Sequence, residues 1–130
     1  MPIKNEPTIP MSKEILPKNI RRGKVYWAHL DDAEGYEQKG PRPVVIVSNN
    51  QQNEIGNLLV VVPLSRSIGK IYPFQVPTFF QGEYGKAKCE QVRAITSDRL
   101  EKYLGELTHE EMKKINQRLL LILALKYFSS

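Results

Sequence analysis

The 130-residue chain contains one cysteine, Cys89, and two histidines, His29 and His109. A lone thiol excludes an intramolecular disulfide, and with two imidazoles it falls short of the usual four ligands of a structural zinc site. Cys89 reads as a small buried hydrophobe in a reducing compartment. No apolar run approaches the roughly 20 residues that a membrane-spanning helix requires, so no membrane association is expected. Residues 1–6 carry charge and proline where a secretory signal needs an unbroken apolar stretch, which makes a cytoplasmic location the expectation. Also missing are a glycine-rich phosphate loop, a GxSxG elbow, an HExxH pair and an acidic cluster able to hold two magnesium ions. Metal-dependent nuclease chemistry is therefore disfavoured, and no metal or other cofactor is expected. Both histidines have structural readings, His29 on a strand and His109 in the first turn of a helix.

What the chain does contain is the composition of one ordinary globular domain, 41% hydrophobic and 25% charged, with a net charge of +5. That charge is unevenly placed. Lys4, Lys13, Lys18, Arg21, Arg22 and Lys24 stand against Glu6 and Glu14, so the first 24 residues are strongly basic. A second basic stretch is more informative: Lys39, Arg42, Arg66, Lys70, Lys86 and Lys88 face only Glu54 and Glu83. A phosphate-facing surface would have to come from this second stretch.

Residues 1–20, with Pro2, Pro7, Pro10 and Pro17 in polar sequence, lack a hydrophobic period and read as a mobile arm before a domain that begins at Arg21. Residues 24–30 are rich in strand formers and give way to a polar loop over 31–40. Residues 43–48 and 58–63 are short continuous apolar runs bounded by turn residues, as expected of strands covered on both faces. Residues 74–79 form a weaker strand, because Pro77 cannot donate to a ladder and belongs at an edge or bulge. Residues 81–85 read as a hairpin connection into a strand over 87–95. After Gly105 the period becomes helical: Thr108 followed by Glu111 is a capping-box signature, and Met112, Ile115, Leu119, Ile122 and Leu123 recur at helical spacing to about Tyr127. The expected architecture is mainly β with a C-terminal helix, a single small SH3-like barrel whose short strands curl to avoid bare edges.

Two residues stand out for chemistry. Arg42 lies between Pro41 and Pro43, and the following proline holds its backbone extended, so the guanidinium springs from a stiff point at the mouth of a buried strand. Such stiffness lowers the entropy lost when the fork grips a phosphate. A purely structural arginine paired with Asp31, Asp32 or Glu37 fits the residues equally well. Ser65 repeats the arrangement, since the strand ending Val62-Pro63 presents a hydroxyl and then the cation of Arg66. A serine after a strand is more often a turn former.

Four segments together carry a resemblance: RGKVYW at 22–27, GYEQKGPRPVVIVSN at 35–49, VPLS at 62–65 and EQVRAITSDRL at 90–100. In order and spacing they resemble the successive motifs of MazF/PemK toxins, over residues 21 to about 126 and ending in the expected helix. The resemblance implies a barrel of the CcdB–MazF type over residues 21–130. It also implies a homodimeric, sequence-selective and metal-independent endoribonuclease that cleaves single-stranded RNA and is neutralised by a cognate acidic antitoxin. By the same resemblance Arg42 and Ser65 are the catalytic pair, while Glu37 and Gln91 fall on positions near substrate. Lys88 and Glu90 match, more loosely, positions with acid–base roles in the Kid branch. Ser65 departs from the family's usual threonine, Lys24 replaces an acidic residue, and the N-terminal arm lies outside the pattern.

RNA supplies its own nucleophile, the 2′-hydroxyl, whose attack leaves a 2′,3′-cyclic phosphate and a free 5′-hydroxyl. On this reading Arg42 stabilises the phosphoryl charge, Ser65 holds the phosphate, and Glu90, or with less support Glu37, takes the proton. Lys39, Arg66, Lys70 and Lys88 would line the approach, with Tyr36, Tyr72 or Phe74 available to stack unpaired bases. Two other classes remain open at this point. One is a non-catalytic toxin that binds DNA gyrase, like CcdB, although that family resembles chains ending in Trp-Gly-Ile and this one ends in Lys126-Tyr-Phe-Ser-Ser130. The other is a peptide-binding SH3-like adaptor, which would leave Arg42 and Ser65 unexplained.

Overall fold

The computed structural model describes residues 19–30, 40–67 and 69–125. The expected arm, apart from Asn19 and Ile20, and the expected loop over 31–40, apart from Gly40, lie outside these residues.

In chain order the described residues form β1 (Lys24–Leu30), β2 (Gly40–Ile46), α1 (Asn50–Ile55), β3 (Leu58–Ser65), β4 (Val76–Phe80), β5 (Glu83–Ala87), β6 (Arg93–Thr96), β7 (Leu100–Glu106) and α2 (His109–Ile122). The sheet runs β4-β5-β3-β2-β1-β7, with β6 paired to β3 off this path. Every pairing is antiparallel. β3 is the hub: its first half pairs with β6 and its last two residues, Leu64 and Ser65, with β5, while Val61 to Pro63 pair with β2. The result is a curled half-barrel with a C-terminal helix. β4 and β7 remain at its edges, and Pro77 sits on edge strand β4, where its missing donor costs least.

The apolar runs are buried on both faces, and alternate residues feed different cores. Val44 and Ile46 join Tyr26, Ala28, Leu30, Leu59 and Val61 in one cluster, against which Ile20 packs. Val45 and Val47 join Val25, Val62, Leu64 and Cys89 in the other, closed by Ile115 of α2 with Met112, Leu119 and Ile122 beside it. A two-sided strand has no solvent face to slip toward, so its register is strongly fixed.

The α2 cap does double duty. The Thr108 hydroxyl accepts from the Glu111 backbone N–H at 3.1 Å, and the Glu111 carboxylate accepts from the Thr108 N–H at 2.9 Å. The second Glu111 oxygen accepts from the Phe79 N–H at 2.8 Å, so the helix start also satisfies a donor on the outer side of β4.

Three expectations require correction, and two elements are additional. The stretch 87–95 is not one strand, because a 3-10 turn over Cys89–Gln91 breaks it into the end of β5 and β6. The helix stops at Ile122, short of Tyr127, and Ala124 takes a positive φ of 56° that no helix continues through. Leu123, expected on the packed face, is 52% exposed. Helix α1 and strand β7 were not expected. The polar α1 sequence is held by its ends, where the Asn49 side chain accepts from the Gln52 N–H at 2.8 Å and Gly56 closes the turn in the left-handed region at φ 85°.

Removing the α2 cap with Thr108→Ala should lower stability by about 1 kcal/mol, read from the midpoint of urea unfolding. An unchanged midpoint would show that the cap and its link to β4 contribute nothing.

Candidate active site

The β2–β3 ladder ends at the pair Val44–Pro63. Beyond it, β2 runs on to Gly40 paired only with β1, and β3 runs on to Ser65 paired only with β5. Pro43 has no N–H to donate to β3 at the next position, and the Pro63 carbonyl already faces away from β2, accepting from the Lys88 N–H. The two strands therefore diverge after a rigid, doubly buried segment. Arg42 and Ser65 stand on the diverging ends, and both line one cavity of about 550 Å³.

Arg66 and Lys88 line the same cavity. Lys88 is brought in by its own backbone, whose N–H donates to the Pro63 carbonyl at 2.9 Å. Burial holds the Lys88 ammonium below the usual lysine range, and the neighbouring Lys86 and Arg42 add to the effect while Glu90 opposes it. The Arg42 Nε is buried and has no hydrogen-bond partner among the described residues. Among the described residues no carboxylate pairs with Arg42; Asp31, Asp32 and Glu37, the partners of the structural reading, lie outside them. Arg66 is engaged, its Nε donating to Glu83 Oε1 at 2.8 Å.

The Ser65 hydroxyl oxygen accepts from the Ser67 N–H at 3.1 Å. This local turn fixes the oxygen without the methyl group that threonine would provide, and it leaves the hydroxyl proton free to point elsewhere.

Other expected site residues lie differently. Glu90 and Gln91 follow Lys88 in the 3-10 turn but do not line the cavity. The exposed Glu90 carboxylate accepts from Gln75 Nε2 at 2.9 Å. Lys70, Tyr72 and Phe74 also lie outside the cavity lining: the Tyr72 and Phe74 rings stack at 5.4 Å, and Lys70 Nζ sits 4.8 Å from the Tyr72 ring centre. Glu37, Lys39 and Tyr36 fall outside the described residues. Cys89 is fully buried and its thiol is pushed up to about 12 by desolvation, as an inert packing residue would be. Among the described residues no three of His, Cys, Asp and Glu gather as a metal-binding group. None of the described helices is long and apolar enough to cross a membrane.

Sequence reasoning missed Trp27, Tyr84 and Gly85, which also line the cavity. Trp27 pairs with Pro43 across β1 and β2, a neighbour that only the register reveals. Gly85 carried a readable signal as a glycine inside a strand, which marks close backbone approach. A Cβ at position 85 would lie 2.3 Å from the Ser65 carbonyl oxygen, so β5 packs directly on the strand end that carries the hydroxyl.

A curled β half-barrel with a cationic cleft at two proline-marked strand ends defines the class of protein. A family model described as PemK-like, MazF-like toxin of type II toxin–antitoxin systems matches residues 21–123, and the chain belongs to that family. Endoribonuclease MazF9 of Mycobacterium tuberculosis is 35% identical over 116 residues, covering 82% of this chain and 98% of that protein. Endoribonuclease MazF of Staphylococcus saprophyticus is 34% identical over 105 residues, covering 75% and 85% respectively. Among solved structures, MazF from Deinococcus radiodurans superposes with a TM-score of 0.71 at 25% identity, over 81% of this chain and 96% of that one. An endoribonuclease in complex with its cognate antitoxin, from a mycobacterial species, superposes with a TM-score of 0.67 at 31% identity, over 82% and 97%.

Gly85→Ala should displace β5 from Ser65, since backbone carbonyl cannot yield as a flexible side chain does. We expect a loss of stability of a few kcal/mol, on the order of a core overpacking defect, measured by thermal melting. A melt that matches the parent protein would mean that the close approach is not a constraint.

Proposed function

We propose that the protein is a cytoplasmic, sequence-selective endoribonuclease that cleaves single-stranded RNA without a metal ion, leaving 2′,3′-cyclic phosphate and 5′-hydroxyl ends. The observation that carries this reading is the shared cavity of Arg42 and Ser65, two residues 23 positions apart whose strand ends diverge into it. The names of the relatives, endoribonucleases of the MazF type, support it independently.

In this mechanism the RNA 2′-hydroxyl attacks the adjacent phosphorus and the 5′-oxygen leaves. Arg42 donates to the phosphoryl oxygens, where charge grows, and among the described residues its buried Nε has no competing partner. The Ser65 hydroxyl holds a non-bridging oxygen. Lys88, an ammonium whose proton is loosened by burial, is suited to protonate the leaving oxygen. Arginine stays protonated and is a poor base. Glu90, the carboxylate that the family resemblance suggests for proton removal, is held by Gln75 outside the cavity lining and would have to turn inward to act; Glu37 is the other carboxylate for that task.

The family also supports a homodimer and an antitoxin partner, the latter seen in the mycobacterial complex. An acidic, extended antitoxin segment laid across Arg42, Arg66 and Lys88 would block the same cavity that RNA needs. A CcdB-like gyrase binder would leave that cavity without a task.

Arg42→Ala should lower cutting of a defined single-stranded RNA at least a hundredfold, about 3–4 kcal/mol of barrier, while wild-type cutting persists in EDTA. Near-wild-type cutting by a folded Arg42→Ala protein would remove the arginine from the mechanism, and loss of cutting in EDTA would overturn metal independence.

The lowered Lys88 pKa gives a second test. Its ammonium is lost as pH rises through the lowered value, so the alkaline limb of kcat/KM should begin below the usual lysine range and shift to higher pH in Lys88→Arg. An identical limb in both proteins would assign it to another group.

A further inference from the structure

The cavity has two kinds of lining. Arg42, Ser65 and Lys88 are suited to a phosphodiester, yet Trp27, Phe80 and Tyr84 share the same space. A site for phosphate alone has no use for aromatic rings, whereas a nucleotide in a volume of about 550 Å³ brings a base with its phosphate.

Tyr84 is the least covered of these rings. It is 71% exposed on β5 and its only described ring contact is with Phe79, at 4.8 Å between centres and tilted by 53°. Its position is nevertheless fixed relative to the chemistry. Ser65 pairs with Lys86, so Tyr84 lies two residues further along β5, roughly 7 Å at the usual strand rise. The close approach of Gly85 to the Ser65 carbonyl and the Arg66–Glu83 ion pair brace the residues on either side of it. An exposed aromatic face is thus held beside the hydroxyl at a set spacing.

We infer that Tyr84 stacks on an unpaired nucleobase next to the scissile phosphate, so that it helps the enzyme choose single-stranded over paired RNA. The inference rests on the endoribonuclease reading and deepens it. Stacking uses the face of a base, which every base offers, so Tyr84 contributes affinity for unpaired strands more than sequence choice. In a duplex that face is covered by its neighbours and the ring has nothing to receive.

The test uses the full chain and an RNA oligomer made uncleavable by a 2′-deoxy residue at the cleavage site. Binding is followed by the fluorescence of Trp27, the chain's only tryptophan, which lines the cavity. Tyr84→Ala should weaken binding roughly five- to a hundredfold, the usual range for losing one base stack, and Tyr84→Phe should restore it. On an oligomer abasic beside that position, wild type and Tyr84→Ala should bind equally. With cleavable RNA, Tyr84→Ala should raise KM by a similar factor while kcat changes far less. If Tyr84→Ala binds the complete oligomer as wild type does, or loses as much on the abasic one, the stacking role is overturned. Cutting of RNA by wild type is scored separately, so failure of the nuclease reading and failure of the stack give different results.

Discussion

A hydrogen-bonded ladder needs a donor at every other residue, and β2 meets Pro43 where its bonds to β3 would continue. Up to Val44 and Pro63 the two strands are bonded to each other and buried on both faces; past that pair each has a different neighbour. The interior thus fixes two stiff rods, which part at Pro43 with its missing donor. Side chains at the parted ends are polar because they leave the core, and they are well placed because what precedes them cannot shift. Preorganisation of this kind puts reactive groups on the ends of rigid elements, with the ordering entropy already met by folding.

The charges gathered there are mutually unfavourable. Lys88 carries the effect most openly, its proton loosened by burial and by Lys86 and Arg42, with Glu90 restoring part of it. Arg66 is instead occupied by Glu83. An anionic chain entering the cavity would offset the repulsion among these cations. This arrangement favours polyanions in general. Discrimination among them must come from groups that are not cations.

The sequence disclosed the elements with strong local rules. Thr108 and Glu111 announced the helix start, continuous valines announced the doubly covered strands, and the prolines flanking Arg42 and preceding Ser65 marked the site. What it hid was non-local. Residues 87–95 looked like one strand because the Cys89–Gln91 turn is enforced by packing under α2 and by the Lys88–Pro63 hydrogen bond, not by turn residues. α1 is polar and six residues long, too short to show a period, and rests on Asn49 and Gly56 at its ends. Trp27 and Tyr84 could not be read as cavity residues without the register that sets β1 beside β2 and β5 beside β3. Glu90 lies two residues from the cavity-lining Lys88, yet it reaches outward to Gln75, because a 3-10 turn redirects successive side chains.

The serine at position 65 shows how one departure from a family pattern can be absorbed locally. Threonine restricts its hydroxyl by the bulk of a methyl group; serine lacks that restraint and would rotate. Here the Ser67 N–H donates to the Ser65 oxygen at 3.1 Å, which replaces a steric restraint by a hydrogen bond. The exchange alters chemistry as well as geometry. An oxygen that already accepts one bond is steered to donate its proton outward, toward an acceptor such as a phosphoryl oxygen. It also ties the hydroxyl to the loop that begins at Arg66, so that any movement of that loop on binding RNA or an antitoxin would be felt at Ser65. A serine at this position therefore makes the hydroxyl dependent on the neighbouring loop in a way that a threonine would not be.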